Sequence, residues 1–580
     1  MINEEELQKI ENAKKAWEEQ VLKPSLTRSG YQENPNRFYS PLDVKNYDFL
    51  EKTGFPGQYP YTAGKYSSSL AGGILSSFKY EIPGEVMRAA RYSGYGAPED
   101  TRDYHKAVGD KGFPLGPNIA FDLPTQCGYD SDSPMAKGEV GKVGVAVDSL
   151  RDFEVIYEAF GGGREVDKVG SNFTINAPCN IILAMYSCLA EKRGISPDKL
   201  RGTPQNDILK EFASRGTYIF PIKPSMRMIR DTVVHCGEHM PLMNTLSICG
   251  YHMREAGATN AQTLGFTFSN AIAYIQLGID AGLDVDKFFR RYTFLTFGGG
   301  MELFKEVATT RAARRMWAKI MKDRVGSKDP RNWIYRDLGA PIAAYVTTAQ
   351  RPMNNLTRSI ITGTASAMAG GMPAAYPPYD EPLGLGWSDE ASQLSEDAAR
   401  IIYHEAKLCE VTDPLAGSYY VESLTDQIEE EAWDYIKKID EMGGAAAALE
   451  KGYIQQEIAK SAYQYQKEVE NGERAIIGVN KFISESELDV TTTRLVAHPY
   501  DPHKRARAEE MHLKNLAEVK NNRDNEAVQA SLKRLKEAAQ DESVNLFPSL
   551  IECTKLYGTL GEMCGVLREV FGEYEGYGAV

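Results

Sequence analysis

The central part of the chain alternates between short apolar or β-branched runs and amphipathic stretches with helical periodicity. The stretches at 180–194 and 301–322 are two examples of the helical pattern. Because strands that alternate with helices form a parallel sheet, the pattern over about 116 to 400 predicts an α/β fold with a closed (β/α)₈ TIM barrel. The runs that predict strands are 118–122, 169–176, 202–207, 244–252, 292–300 and 342–350.

The regions on either side of this pattern differ from it in composition. Residues 1–34 predict an exposed helix and a polar arm, and residues 35–110 are rich in Tyr, Gly, Ser and Pro, which is typical of an extended segment. From about 421 the chain is charged and helical in pattern. We therefore predict three parts: an N-terminal helix with an extended wrapping arm (1–115), the barrel (116–420) and a C-terminal helical region (421–580).

Polar side chains end several of the predicted strands. The carboxyl ends of barrel strands form the face that carries the active site. Each residue taken singly has an alternative role as the cap of the next helix. Their number favours a functional role for the group Asp122, Asn176, Asn206, His252 and Gln350.

Composition narrows the classes of function. The 580 residues include 66 basic and 80 acidic side chains, so the net charge is −14, which disfavours nucleic acid and anionic membranes as partners. No apolar run reaches the ~18 residues of a membrane span, and the charged N-terminus does not resemble a signal peptide. The eight cysteines are sparse and irregularly spaced, which argues against a disulfide framework. These features predict a cytoplasmic protein.

Motifs for common chemistries are weak. The glycine-rich strings at 160–165 and 297–302 lack the spacing of phosphate-binding loops, and no GxSxG nucleophile motif occurs. His235 and His239 are four residues apart, so they share one helical face and, with His252, leave a metal-dependent lyase or hydrolase open. A structural role near a helix C-terminus is the alternative for His235 and His239.

Arg215 has the right chemistry for binding a carboxylate, because a guanidinium offers paired donors. It lies ten residues after Gln205, and this spacing alone does not bring the two side chains into one pocket. Without further information, a surface position is the more common fate of such an arginine.

Longer motifs resemble the methylmalonyl-CoA mutase family of adenosylcobalamin-dependent acyl-CoA mutases. The likeness extends from about residue 40 to the C-terminus. It implies a (β/α)₈ barrel threaded by the pantetheine arm of coenzyme A, with the substrate at the C-terminal face beneath a cobalamin. The matching strings are YPYTAG (59–64), AFDLPTQCGYDSDSP (120–134), GKVGVAVDS (141–149), GTPQNDILKEFASRGTYIFP (202–221), SMRMI (225–229), SICGYHMREAGAT (247–259), DPLAGSYYVE (413–422) and LGEMCGVLREVFGEY (560–574).

The family's cobalamin-binding domain carries a DxHxxG motif, and this sequence does not contain it. The chain is therefore similar to the large, substrate-binding subunits whose cobalamin is carried mainly by a separate small subunit. This similarity implies a heteromer, and we expect a dimer of heterodimers.

The resemblance also implies roles for individual residues. His252 resembles the histidine that hydrogen-bonds the thioester carbonyl, Gln205 the glutamine near it, and Arg215 the arginine that pairs with a substrate carboxylate. Tyr92 resembles the tyrosine between substrate and cofactor. The matched positions for coenzyme A are Tyr66, Ser68, Thr203, Asn244, Arg291 and Thr293, and those for the cofactor are Glu381 and Gln350.

Retention of both Tyr92 and Arg215 implies a carboxylated acyl-CoA of the succinyl or malonyl type. The segments at 67–94 and 345–358 depart from the family pattern, which indicates a substrate other than methylmalonyl-CoA, such as a larger one. A hydroxyacyl-CoA or isobutyryl-CoA mutase, and a non-catalytic chaperone-like subunit, are the remaining alternatives.

Overall fold

The computed structural model shows an α/β protein in which short parallel strands are surrounded by helices. It describes residues 4–29, 38–67, 93–113, 115–295, 299–337, 344–371, 373–374, 376–383, 387–483 and 502–576. Within these residues, no helix has both the length and the apolar character needed to cross a bilayer. The predicted α/β class with parallel pairing is confirmed.

The strands form two small parallel sheets. The first contains β1 (Asn118–Ala120), β2 (Ser171–Thr174) and β3 (Gly202–Pro204) in that order, and the second contains β4 (Ser247–Cys249) beside β5 (Thr293–Leu295). Each strand lies within one of the runs predicted from the sequence.

Single parallel bridges extend this order. Met243 pairs with Gly202, which connects the residues just before β4 with β3. Asp337 pairs with Phe294 on the far side of β5. At the other edge Ser93 pairs with Ile119 of β1. The strands of the two sheets therefore run in one direction along a continuous series of parallel partners.

One predicted strand is wrong. Of the run at 342–350, the described part contains a 3-10 turn at Ala344–Val346 in place of a strand. The backbone of Thr348 is instead held by Asn355, whose amide oxygen accepts from Thr348 N–H at 3.0 Å and whose Nδ2 donates to Thr348 O at 2.8 Å. These side-chain bonds use the backbone groups that a strand would pair.

Helices make up most of the described chain. The N-terminal helix has no buried residue, as its charged sequence predicts. The α-helices of five or more residues are Glu4–Trp17, Lys23–Ser29, Pro98–Asp110, Leu150–Tyr157, Cys179–Lys192, Ile222–His239, Tyr251–Glu255, Asn260–Asp280, Leu303–Lys319, Asn354–Met368, Asp389–Arg400, Tyr419–Glu441, Ala445–Glu450, Tyr453–Glu470, Pro502–Asn522, Asn525–Gln540, Phe547–Lys555 and Leu560–Phe571, and the shorter ones are Phe49–Lys52, Leu123–Gln126, Ile208–Lys210 and Val285–Phe288.

A single large hydrophobic cluster joins the strands to the helices around them and to the C-terminal helices. Buried charges add specific connections. Arg311 on helix Leu303–Lys319 is fully buried and binds both Asp413 and Glu422, the latter on helix Tyr419–Glu441. All eight cysteines are free, so the expectation of no disulfide framework is confirmed.

Candidate active site

The site begins with a tight turn after β3. Gln205 N–H donates to Phe173 O and Asn206 N–H donates to Ile175 O, both at 2.9 Å, so the turn is tied to β2 and to the residue just after it. Asn206 has φ +50° and its Nδ2 donates to Thr245 O at 3.0 Å. An asparagine tolerates this left-handed conformation better than most residues do. The turn thereby holds Gln205 at the carboxyl end of the sheet.

Beyond the turn the chain forms a short helix that widens at once into a π-helix, Glu211–Arg215. Gly216, with φ +84°, ends it in the left-handed conformation. Such wider turns are often found at functional sites. Here the π-helix places Glu211 inside the protein and leaves Arg215 partly exposed.

Glu211 is the centre of a buried polar network. Its Oε1 accepts hydrogen bonds from Asn176 Nδ2 at 2.7 Å and Arg215 Nη1 at 3.2 Å, and it is also in direct contact with Lys210 Nζ. Burial tends to raise the pKa of this carboxyl, but the charges of Lys210 and Arg215 outweigh it and the pKa is lowered. The carboxylate is therefore ionised in the folded protein.

Gln205 joins the same network. Its Oε1 accepts from Asn176 Nδ2 at 2.9 Å and from Lys210 Nζ at 2.7 Å. Gln205 and Arg215 are thus connected through Lys210 and Glu211, a connection that their separation in sequence does not predict.

A second buried carboxylate supports the end of β4. Asp207 accepts from Cys249 N–H at 2.7 Å and from the Tyr274 hydroxyl at 2.6 Å, and that hydroxyl accepts from Leu209 N–H at 2.9 Å. Burial raises the pKa of Asp207 to about 6. This carboxylate links the turn after β3 to the strand that precedes His252.

His252 lies at the carboxyl end of β4, on helix Tyr251–Glu255. Its Nδ1 is buried and has no hydrogen-bond partner among the described residues. Burial, reinforced by the positive charges of Lys210 and Arg215, lowers the pKa of His252 well below its usual value. The imidazole is therefore neutral at pH 7 and offers both a donor and an acceptor nitrogen.

The site thus combines a neutral imidazole, a primary amide and two cations that share one carboxylate, Glu211. Arg215 is paired with a carboxylate of the protein itself, through its contact with Glu211. Helix Tyr251–Glu255, which carries His252, packs against the π-helix Glu211–Arg215. The positive charges of Lys210 and Arg215 contribute to the lowered pKa of His252.

Three of the residues expected to contact coenzyme A lie together at the opposite, amino-terminal ends of the strands, namely Thr203, Asn244 and Thr293. Asn244 Nδ2 donates to Thr293 Oγ1 at 3.0 Å and lies 3.3 Å from Thr203 Oγ1. Arg291 is exposed and lies two residues before Thr293. The backbone from Asn244 to Gly250 spans roughly 20 Å if extended. The residues at the amino-terminal ends of the strands are thus separated, along the strand direction, from the site at the carboxyl ends.

Tyr66 lies on the described part of the N-terminal arm. Lys65 Nζ is 5.7 Å from the centre of its ring and donates to Asp337 O at 2.6 Å. The Tyr66 hydroxyl is close enough to Arg336 to affect the pKa of that guanidinium. Tyr66 therefore lies beside the residue that pairs with β5.

The expected cofactor residues lie in a different part of the chain. Glu381 is partly buried and its carboxylate accepts from the Trp387 indole N–H, and burial raises the pKa of Glu381. Gln350 is exposed, and its backbone carbonyl accepts from the Thr348 hydroxyl at 2.8 Å. Tyr92 and Ser68 lie outside the described residues.

The histidines considered for a metal site have structural surroundings. His235 stacks on Phe547, with ring centres 4.0 Å apart, and burial lowers its pKa to about 4, whereas His239 is mostly exposed. In the part of the chain that the structure describes, no three His, Cys, Asp or Glu side chains are grouped as metal ligands.

Asp122 has the capping role that was the alternative for the polar strand-end residues, because it accepts from Thr125 N–H at 3.0 Å at the start of helix Leu123–Gln126. Asn176 does not cap the next helix, and its Nδ2 donates to Gln205 and Glu211. Sequence reasoning missed Lys210, Glu211 and Tyr274. The sequence does contain a signal for Lys210 and Glu211, because two adjacent charged residues within the apolar run ILKEF are unusual in a buried segment.

Comparisons with known proteins identify the family to which the chain belongs. The profile of the family described as "Methylmalonyl-CoA mutase" matches residues 28–573. The methylmalonyl-CoA mutase of Escherichia coli (strain K12) is 37% identical over 99% of this chain and 76% of its own length. The 2-hydroxyisobutanoyl-CoA mutase large subunit of Aquincola tertiaricarbonis is 36% identical over 93% of this chain and 91% of its own length.

A third relative, the methylmalonyl-CoA mutase large subunit of Propionibacterium freudenreichii subsp. shermanii, is 35% identical over 91% of this chain and 69% of its own length. The fold and these likenesses define an isomerase of the acyl-CoA mutase class. The chain belongs to the methylmalonyl-CoA mutase family.

Proposed function

We propose that this chain is the large, substrate-binding subunit of an adenosylcobalamin-dependent mutase that rearranges the carbon skeleton of a carboxylated acyl-CoA. The observation that carries the proposal is the arrangement around Glu211, where Lys210 and Arg215 share one carboxylate next to His252. This arrangement suits an anionic ligand, because the guanidinium of Arg215 has paired donors that can bind a carboxylate.

The residue types also suit this chemistry. His252 and Gln205 are neutral hydrogen-bonding groups, which can orient a thioester carbonyl without transferring a proton to it. The cofactor supplies the radical chemistry when it is bound, so the chain's own residues bind, orient and shield the substrate. In this proposal Arg215 binds the substrate carboxylate, and Tyr92 lies between substrate and cofactor.

The coenzyme A portion would extend along the strands to the group at their amino-terminal ends. The placement of Thr203, Asn244 and Thr293 beside one another supports this route, with Arg291 and Tyr66 near the same end of β5. Ser68 completes the proposed set of contacts. A closed (β/α)₈ barrel over 116–420, which we propose from the continuous parallel order of the strands, would place this route along its axis.

The cofactor-binding residues proposed are Glu381 and Gln350. The Glu381 carboxylate fits the adenosyl ribose, because a carboxylate accepts several hydrogen bonds and can accept from hydroxyls as well as from Trp387.

A separate small subunit would carry most of the cobalamin, in a dimer of heterodimers. The relatives named large subunits support this, since the chain covers 91% of one of them. We also propose a cytoplasmic location, in keeping with eight free cysteines.

A mutase acting on an uncarboxylated acyl-CoA is the second candidate. Arg215 already has a carboxylate partner in Glu211, and one relative is named a 2-hydroxyisobutanoyl-CoA mutase large subunit. The two candidates differ in what Arg215 binds during turnover.

The test is reconstitution of the purified chain with adenosylcobalamin and a small cobalamin-binding subunit from a related mutase. We would supply succinyl-CoA, methylmalonyl-CoA, ethylmalonyl-CoA, isobutyryl-CoA and 2-hydroxyisobutyryl-CoA and identify products by mass spectrometry. We expect isomerisation of a carboxylated thioester. Turnover of only the uncarboxylated thioesters would favour the second candidate, and full activity without the small subunit would contradict the heteromer.

A further inference from the structure

Lys210 is a fully buried cation in the middle of the site, and the roles taken from the family do not use it. Its side chain has no exposed area. Its Nζ donates to Gln205 Oε1 at 2.7 Å and is in direct contact with the Glu211 carboxylate. A buried ammonium usually has a partner that needs it, because removing a charge from water is costly.

The partners of Lys210 determine how the two amides of the network are oriented. An ammonium only donates hydrogen bonds and a carboxylate only accepts them. The Gln205 atom facing Lys210 must therefore be its oxygen, and the Asn176 atom facing Glu211 must be its nitrogen. Asn176 Oδ1 accepts from Asp207 N–H at 3.0 Å, which agrees with this assignment.

The orientation of Gln205 follows from these two neighbours. Its Oε1 accepts from both Lys210 Nζ and Asn176 Nδ2, so an amide turned the other way would direct its own N–H groups at two donors. The polar group that Gln205 can offer a ligand is consequently its Nε2, which donates.

We propose that Lys210 is a positioning residue that fixes the Gln205 amide so that Nε2 donates a hydrogen bond to the thioester carbonyl of the ligand. This inference rests on the proposed function and adds to it a residue that acts through Gln205. His252 is neutral as well, so a carbonyl bound between the two side chains would meet two neutral groups that both carry N–H donors.

The competing explanation is that Lys210 merely balances the charge of Glu211. In that case its loss would weaken the site without regard to the chemistry of the ligand. The positioning role instead predicts a loss that depends on whether the ligand has a carbonyl oxygen.

The experiment measures binding, by calorimetry on the full chain, of propionyl-CoA and of its thioether analogue S-propyl-CoA, which lacks the carbonyl oxygen. For Lys210→Met we expect propionyl-CoA to bind about tenfold more weakly or worse, because a directed hydrogen bond is lost. The thioether should bind within about twofold of its wild-type affinity.

Equal losses for both ligands would overturn the role of Lys210 and leave the proposed function standing. A wild-type chain that binds neither ligand would contradict the proposed function and this inference together. Lys319→Met is the matched control, because Lys319 Nζ also binds a glutamate, Glu429, at 2.6 Å but lies outside the site. This control should leave both affinities unchanged.

A second variant tests the same point with Lys210 in place. Gln205→Glu keeps an oxygen for Lys210 and Asn176 but replaces the donating Nε2 by an acceptor. We expect this variant to bind propionyl-CoA at least tenfold more weakly and to keep its affinity for the thioether. Unchanged propionyl-CoA affinity would contradict the inference.

The double variant tests whether Lys210 acts through Gln205. In a Gln205→Met background, Lys210→Met should reduce propionyl-CoA affinity by less than about twofold. A full additional tenfold loss would show that Lys210 acts by another route.

Discussion

The Nε2 atom of His512 lies 2.9 Å from Oδ2 of Asp148, and the pair joins residues 364 positions apart in the sequence. His512 belongs to helix Pro502–Asn522, and Asp148 precedes helix Leu150–Tyr157. Both side chains are 1% exposed. This buried ion pair, with Asp152 close to the other ring nitrogen at 3.9 Å, fastens the C-terminal helices to the strand-bearing part of the chain.

The attachment of helix Pro502–Asn522 should depend on pH. Burial opposes protonation of His512, but the charges of Asp148, Asp152 and Asp122 outweigh it and raise the pKa of His512 to about 9. A raised pKa stabilises the folded state fully below the unfolded value of about 6.5, and the stabilisation is lost as the pH rises through about 9. Its size is on the order of 3 kcal/mol.

His512→Gln should therefore speed hydrogen exchange in this helix strongly at pH 6.5 and only slightly at pH 9.5, after correction for the intrinsic rate. Lys514→Gln, at an exposed position of the same helix, is the control and should have no effect at either pH. An effect of His512→Gln that was as large at pH 9.5 as at pH 6.5 would show that the imidazole acts by packing and not by charge.

Arg215→Gln should distinguish carboxylated from uncarboxylated substrates. If Arg215 binds a substrate carboxylate, its loss should lower kcat/KM for succinyl-CoA or methylmalonyl-CoA by about a hundredfold, and for isobutyryl-CoA by only a few-fold. Arg230→Gln is the control, since Arg230 also binds a neighbouring carboxylate, Asp231, at 2.9 Å. A loss of equal size for both kinds of substrate would assign Arg215 to holding Glu211 in place.

Tyr274→Phe should weaken the support of the turn after β3. The Tyr274 hydroxyl accepts from Leu209 N–H and donates to Asp207, and all of these groups are buried. Its removal should lower the stability by about 2 kcal/mol, because a buried N–H loses its acceptor.

The same variant should change the pH profile. Burial raises the pKa of Asp207 to about 6, although the hydrogen bond from Tyr274 opposes this rise. Without that hydroxyl the pKa of Asp207 rises further, so the acid limb of a kcat/KM profile should move to higher pH. Tyr463→Phe, at a position 62% exposed, is the control for both measurements. An unmoved acid limb would exclude Asp207 from the groups that limit activity in acid.

Arg311→Met should destabilise the protein far more than the loss of an exposed ion pair. The variant leaves the buried carboxylates of Asp413 and Glu422 without their cation, at a cost of about 3–5 kcal/mol. Arg324→Met, which removes a partly exposed pair with Asp440, should cost less than about 1 kcal/mol. The two variants can be compared by urea unfolding followed by circular dichroism. Similar midpoints would show that the buried pair contributes no more than the exposed one.

The sequence determined the parts of this protein that depend on local pattern and on long motifs. Apolar periodicity located five of the strands, and polar residues at their ends pointed to Asn176, Asn206 and His252 as members of one group. The motifs indicated the methylmalonyl-CoA mutase family, which the comparisons confirm. The same motifs suggested a role in the site for Arg215, which its spacing from Gln205 alone could not establish.

Only the tertiary structure decided which side chains meet. It placed Lys210 between Gln205 and Glu211, turned the predicted strand at 342–350 into a 3-10 turn within its described part, and gave Asp122 a capping role. These outcomes depend on contacts between residues far apart in the chain and on the loss of water around buried charges. Periodicity records which face of an element is apolar, whereas the partner of a buried charge is set by the elements that pack around it.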